Sequence, residues 1–319
     1  MGVRVAPTQV ADRPGDDQVL GVADGDGARR GGVAGRADGQ AGVVQQGLGA
    51  GQEGLAGGGQ PAAPGAAFAT ALAARGSDLV LVARRAGRLA ATAEQLRRTY
   101  GIRAEAVPCD LAGPDAGDDL RKAVADRGMT VTGLINNAGF GTFGRFAEAD
   151  PGRLAAEIAV DVAAPVRLTA AFLPRMLSAG TGFVINVAGA SAYFPSPRMA
   201  VYSAAKAFVL SFSESLWTEL RGTGVAAFAV CPGATATDFT TGMGTGADVL
   251  AAGAVREPAQ VVATALAHLE RRDPGPVVVD GFSNRLGVLT TRLVSRRAAA
   301  AMMDRISGPG RRARNAADA

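Results

Sequence analysis

Histidine and tryptophan each occur once in these 319 residues, and cysteine and lysine twice each. So few histidines and thiols argue against a Cys/His metal centre. Cys109 and Cys231 each fall at the end of an expected buried strand and read as free thiols rather than a disulfide; no metal is expected. No apolar run approaches the ~20 residues that cross a bilayer, and the start has no charged-then-apolar leader pattern. A cytoplasmic protein with no membrane partner is therefore expected. The net charge of +4 and pI near 9.6 come from arginine, clustered late at Arg292, Arg296, Arg297, Arg305, Arg311, Arg312 and Arg314. No aromatics interleave with that cluster as stacking on bases requires, so it reads as a solvated helix and tail, with no nucleic-acid partner.

What is present suits a large α/β core. Hydrophobic residues make up 48% and the mean hydropathy is +0.14, enough for one full domain at this length. The composition breaks near residue 60. Residues 1–65 contain no Lys, Ile, Ser, Asn or aromatic residue, and such a stretch buries too little apolar surface to offset its chain entropy. Disorder or weak structure is expected there.

From Phe68 onward apolar strands alternate with helices. Strands are expected at Leu79–Ala83, Ala104–Pro108, Gly133–Asn136, Gly182–Val187, Val225–Cys231 and Pro276–Val279. Helices are expected at Ala66–Arg75, Arg88–Tyr100, Asp115–Arg127, Pro151 towards Met176, Val201–Arg221 and Pro258–Arg271. Near-continuous apolar strands separated by helices indicate a parallel sheet covered on both faces, a doubly wound, Rossmann-type single domain whose ligands bind at the carboxyl ends of the strands.

Those ends carry polar and glycine residues. Arg84 and Arg85 follow one strand where a dinucleotide fold places the adenosine ribose, and arginines there favour the 2′-phosphate of NADP(H) over NAD(H). Asp110 and Leu111 follow the next strand, and Asn137, Ala138 and Gly139 the one after. Pro232-Gly233 opens a Gly- and Thr-rich loop of the kind that forms a mobile flap. Tyr202 and Lys206 lie one helical turn apart and so share a face. A neighbouring ammonium favours the phenolate, lowering the tyrosine pKa towards the range useful to a general acid or base.

The order and spacing of Asn136-Asn137-Ala138-Gly139, Tyr202-x-x-x-Lys206 and Pro232-Gly233 with Thr237 resemble the short-chain dehydrogenase/reductase family over roughly residues 65–285. The resemblance implies hydride transfer between NADP(H) and a small carbonyl or alcohol substrate, here apolar. Tyr202 would be the proton donor, and Lys206 would bind the ribose and tune the tyrosine. Gly65, Arg84, Arg85, Asp110, Leu111, Asn137, Ala138, Gly139, Pro232, Gly233 and Thr237 would join Tyr202 and Lys206 in binding cofactor. It also implies a homodimer or homotetramer. Tyr193, Phe194 and the Phe239–Ala254 flap are expected to line the substrate pocket.

Three departures follow. The family's catalytic serine, thirteen residues before the tyrosine, is Gly189 here; Ser191 is the candidate replacement. The family's helix asparagine, which holds a relay water, corresponds to Asp161, whose charge could pair with Lys206. The first strand and glycine turn have no recognisable counterpart before Ala66. Residues 1–64 read either as a divergent extension or as out-of-frame translation, since GGG-GGC-CAG over Gly58-Gly59-Gln60 shifts to Gly-Ala-Ser. Within the extension, only Gln18–Gly27 is a candidate strand. Residues 65–285 would form the catalytic domain and 286–319 an arginine-rich helical tail. Two functions stay open: an active reductase, or a catalytically silent homologue acting as a binding protein. His268 is expected in a capping or surface role, and Trp217 and Phe212 in the core or a subunit contact.

Overall fold

A computed structural model describes residues 40–45, 64–235, 256–291 and 293–307. Thr237, the Phe239–Ala254 flap, Gln18–Gly27 and Gly57–Ala63 lie outside the described residues. Among the described residues, seven strands form one sheet: β1 (Gln40–Gln45), β2 (Asp78–Ala83), β3 (Ala104–Pro108), β4 (Thr130–Asn136), β5 (Gly182–Val187), β6 (Val225–Cys231) and β7 (Val277–Val279). The order is β3-β2-β1-β4-β5-β6-β7 and every pairing is parallel. This is the doubly wound arrangement, with the chain reversing direction across the sheet at the β1/β4 boundary.

The first strand corrects the expectation that the central position has no occupant. Gln40–Gln45 lies between β2 and β4, with Val43 opposite Val80 and Leu134. Val43 and Val44 have no solvent exposure and pack into opposite cores, as the two-residue period of a strand requires. Two adjacent β-branched residues suffice for the short buried part. Each contributes about 1.5–3 kcal/mol by burial. The sequence signal was weak because only two large apolar residues stand amid Gly, Ala and Gln.

Helices cover both faces. On one, α1 (Pro64–Ala73), α2 (Ala86–Tyr100) and α7 (Pro258–Leu269) bury Phe68, Leu72, Leu89, Leu96, Val261 and Leu266. On the other, α3 (Ala116–Ala125), α5 (Ala164–Ala179) and α6 (Ala200–Glu219) bury Leu120, Leu168, Phe172 and Leu216. The expected long helix from Pro151 forms as α4 (Pro151–Ile158) running into α5 through a π-helical turn at Ala159–Ala163. Its start is fixed by Asp150, whose carboxylate accepts from the amides of Gly152 and Arg153. After β7 come α8 (Phe282–Thr291) and α9 (Arg296–Ser307).

His268 is buried rather than at the surface. Its Nε2 lies 2.8 Å from the Gly275 carbonyl and its ring meets Phe228 edge-on at 4.8 Å. Trp217 is half-buried and donates to the Pro274 carbonyl. Cys109 is half-buried and Cys231 buried, both free.

Candidate active site

Because all strands run parallel, the segments after β2, β3, β4, β5 and β6 emerge at one edge. A buried polar ladder holds two of those strands against the site helix. Asn136 on β4 donates to Asn186 on β5 at 2.7 Å, and Asn186 donates to Ser213 on α6 at 2.9 Å. Asn136 also reaches Thr169 on α5. Buried amides must find partners, and satisfying these fixes the height of α6 along the sheet. Asn186 and Ser213 escaped the sequence reading; polar residues inside otherwise apolar segments were the available signal.

Tyr202 and Lys206 share one face of α6, and the ammonium lies 5.3 Å from the phenol ring centre. Lys206 is 5% exposed. Its Nζ donates to the Val187 carbonyl at 3.3 Å and stands 3.2 Å from Asp161 Oδ2. The π-helical turn brings Asp161 inward with no solvent exposure, and its Oδ1 accepts from the Phe140 amide at 3.0 Å. The Oδ2 contact is an ion pair without the alignment of a hydrogen bond. The expected charge pairing of Asp161 with Lys206 is thus present.

Electrostatics modify the expectation for the tyrosine. Burial pushes the Tyr202 phenol up, Lys206 pulls it down, Asp161 pushes it up again, and the net direction is above the ordinary value. The ammonium acts in the expected sense but is outweighed, because desolvation penalises the phenolate and Asp161 offsets the lysine charge. Burial alone would lower Lys206, yet the nearby Asp161 and Tyr202 raise it. Asp161 is itself raised by burial, against Lys206 and the Phe140 amide.

Gly189 caps a short 3-10 turn, Ala190–Tyr193, with φ at +120°. L-residues with side chains rarely adopt that conformation. The turn brings Ser191 round: its Oγ lies 3.5 Å from where a Cβ on Gly189 would stand, and its side chain hydrogen-bonds Tyr202. Ser191, Tyr202, Lys206 and Asp161 therefore form one cluster. Behind it, burial pushes the Cys231 thiol up to about 11.

Gly139 is held against this cluster. A Cβ there would stand 2.8 Å from Asp161 Oδ2 and 3.1 Å from Lys206 Nζ. Ala138 and Leu111 are buried in the core, leaving mainly backbone to meet a ligand, and Asn137 is half-buried. Asp110 Oδ1 accepts from the Ala112 amide, holding its own turn. Arg84 and Arg85 are exposed just beyond β2. Gly65 lies in the first turn of α1, whose amides have no partner within the helix. Gly233 follows β6 and packs against the Asn284 amide of α8. Beside it, buried Asp280 pairs with Arg256 through both carboxylate oxygens at 2.9 and 3.1 Å and accepts from Thr264. These two contacts overcome burial and hold the Asp280 carboxyl below its ordinary range. The ion pair tethers the point where Thr235 and Arg256 bridge.

The residues fit a dinucleotide. A bare glycine after β4 faces the Tyr–Lys cluster, and two arginines follow β2 at the same edge, with β1 between the two strands. Among the described residues, no His, Cys, Asp or Glu grouping could hold a metal, and no helix is long and apolar enough to cross a membrane.

Comparison with known proteins agrees with this geometry. The chain is 31% identical over 180 residues to a very-long-chain 3-oxoacyl-CoA reductase of Danio rerio, covering 55% of this chain and 56% of that enzyme, so it spans about half of that relative's length. It is 34% identical over 193 residues to a sulfoacetaldehyde reductase of Chromohalobacter salexigens, covering 60% and 75%. A short-chain dehydrogenase from Sphingobium yanoikuyae, solved in complex with NADPH, superposes with a TM-score of 0.66 at 31% identity over 79% of this chain and 92% of that one. The family model described as short chain dehydrogenase matches residues 59–248. This chain belongs to the short-chain dehydrogenase family.

Proposed function

We propose that this chain is an NADP(H)-dependent reductase of an apolar carbonyl compound. The observation that carries the reading is the convergence of Ser191, Tyr202 and Lys206 beside the bare backbone of Gly139. The cofactor, when bound, supplies the hydride. Ser191 donates a hydrogen bond to the substrate oxygen, and Tyr202 gives it a proton. Lys206 holds positive charge beside the phenol and binds the ribose hydroxyls. A phenol held above its ordinary range keeps its proton at neutral pH, which suits a general acid and hence the reductive direction. Arg84 and Arg85 recognise the 2′-phosphate, and the NADPH complex of the Sphingobium relative supports that preference. Asp110, Leu111, Asn137, Ala138, Pro232, Gly233 and Thr237 complete the cofactor site. Phe208, 40% exposed and stacked on Phe212 at 5.9 Å, supports self-association through α5 and α6.

Fluorescence titration tests the reading. NADPH should bind saturably and more tightly than NADH, and replacing Arg84 and Arg85 with alanine should erase about tenfold or more of that preference, roughly 1.4 kcal/mol. Equal affinities in the parent protein would sink the NADP assignment. The silent reading draws on the Asp161–Lys206 pair, which engages the ammonium inside the protein. Saturable NADPH binding without turnover across a panel of ketones and aldehydes would favour it.

A further inference from the structure

Glu157 lies four residues before Asp161, on the turn of α4 that enters the π-helical segment, and its side chain is completely buried. Neither carboxyl oxygen has an aligned hydrogen-bond partner. A buried ionised carboxylate in that condition is costly, whereas a protonated one is far cheaper. The Asp161 charge points the same way, whereas Thr142 and Arg153 favour the ionised form without outweighing burial. On its own helix it faces Asp161 and Arg153, from the loop after β4 it meets Thr142, and from α6 it faces Tyr202 and Lys206. Arg153 is engaged elsewhere, through Thr142 Oγ1, the Gly141 carbonyl and the Phe140 ring. Lys206 is the buried cation on which both carboxyls act, and it sits 3.2 Å from Asp161. One ammonium balances one carboxylate.

We propose that Glu157 is a positioning residue for Tyr202 and Lys206: it holds the single proton of a buried Glu157–Asp161 pair and leaves Asp161 as the counter-ion of Lys206. The inference rests on the proposed reductase site but concerns a proton that is present whether or not turnover occurs. Burial, helped by the Asp161 charge and opposed by Thr142 and Arg153, holds the Glu157 carboxyl above its ordinary range. When rising pH removes the proton, it leaves to solvent as water forms from hydroxide. A second negative charge then faces Tyr202 and Lys206, making the phenol harder to ionise. Because the two carboxyls are coupled, the titration belongs to the pair.

Infrared spectroscopy of the full-length protein in D2O at neutral pH tests this without cofactor or substrate. The wild type should show the C=O stretch of a protonated carboxylic acid, distinct from carboxylate bands, and Glu157→Gln should lose it. A wild-type spectrum without that band, or a Glu157→Gln spectrum that keeps it, overturns the proposal. A wild-type spectrum without the band overturns the proposal even if the variant fails to fold. If the enzyme turns over, the pH at which the band vanishes should match an inflection in kcat/KM that Glu157→Gln lacks; superimposable profiles also overturn it. A wild type with the band but no turnover would leave this inference standing and sink the reductase reading instead.

Discussion

Lys206 Nζ and Asp161 Oδ2 stand 3.2 Å apart with side chains 7% and 0% exposed. An ion pair this dry is strongly coupled to its neighbours, because little water screens it. It sets the two charges on Tyr202 in opposition, with the ammonium favouring the phenolate and the carboxylate opposing it.

Asp161→Asn separates these effects. The amide can keep the Phe140 contact through Oδ1 while losing the charge. One of the influences that raise Tyr202 disappears, so the phenol should ionise at lower pH. In alcohol oxidation, where phenolate is the active form, the rising limb of kcat/KM should move to lower pH. In carbonyl reduction, where the protonated form works, the alkaline loss should begin earlier. Rate profiles in both directions check this, and unmoved limbs would deny Asp161 any part in tuning Tyr202.

Ser191→Ala should lower kcat by about 10²–10³-fold, the cost of losing one donor to a developing oxyanion, with little change in NADPH affinity. Adding Gly189→Ser should not restore the rate, because φ at +120° disfavours any L side chain there. The double variant compared with Ser191→Ala decides the matter. A recovered rate would show that the turn can accept a serine at 189, and an unchanged rate in Ser191→Ala alone would show that Ser191 is not the donor.

The fold was readable wherever burial imposed a period on the chain. Ala104–Pro108, Gly182–Val187 and Val225–Cys231 match the expected strands end to end, since each is bounded by Gly, Pro or polar residues. The i, i+4 spacing of Tyr202 and Lys206 could likewise be read directly. Three features could not. Gln40–Gln45 becomes a strand through its neighbours β2 and β4, a tertiary effect invisible in six residues. The replacement of position 189 by Ser191 depends on the path of a turn. The raised phenol depends on burial and on a carboxylate forty-one residues earlier in the chain, neither of which the Tyr–Lys spacing encodes.

The central strand makes a direct prediction about stability. Val44→Ala removes two methyl groups from a site with no exposure and should cost about 2 kcal/mol. Urea unfolding should show a lower midpoint at unchanged slope. Val44→Asp should prevent folding by placing an unpaired charge in the core that Phe68 and Val261 share with it. A Val44→Ala midpoint equal to wild type would remove Gln40–Gln45 from the sheet and leave the edges of two apolar strands uncovered.

His268 predicts how stability responds to acid. Burial, helped by the Arg271 charge and opposed by the Gly275 carbonyl contact, lowers its pKa in the folded protein. The unfolded chain, with an imidazole near ~6.5, therefore binds the proton more readily. Linkage then requires stability to be full above the unfolded value and to fall as pH drops from there through the folded value. Below both values the loss is constant. Melting temperatures measured from pH 8 to pH 5 should decline across that window in the wild type. His268→Gln keeps an amide that can donate to the Gly275 carbonyl and has no proton to gain, so its decline should be shallower in the same window. Parallel curves for the two proteins would show that acid acts elsewhere. A steeper decline in the variant would reverse the sign assigned to His268.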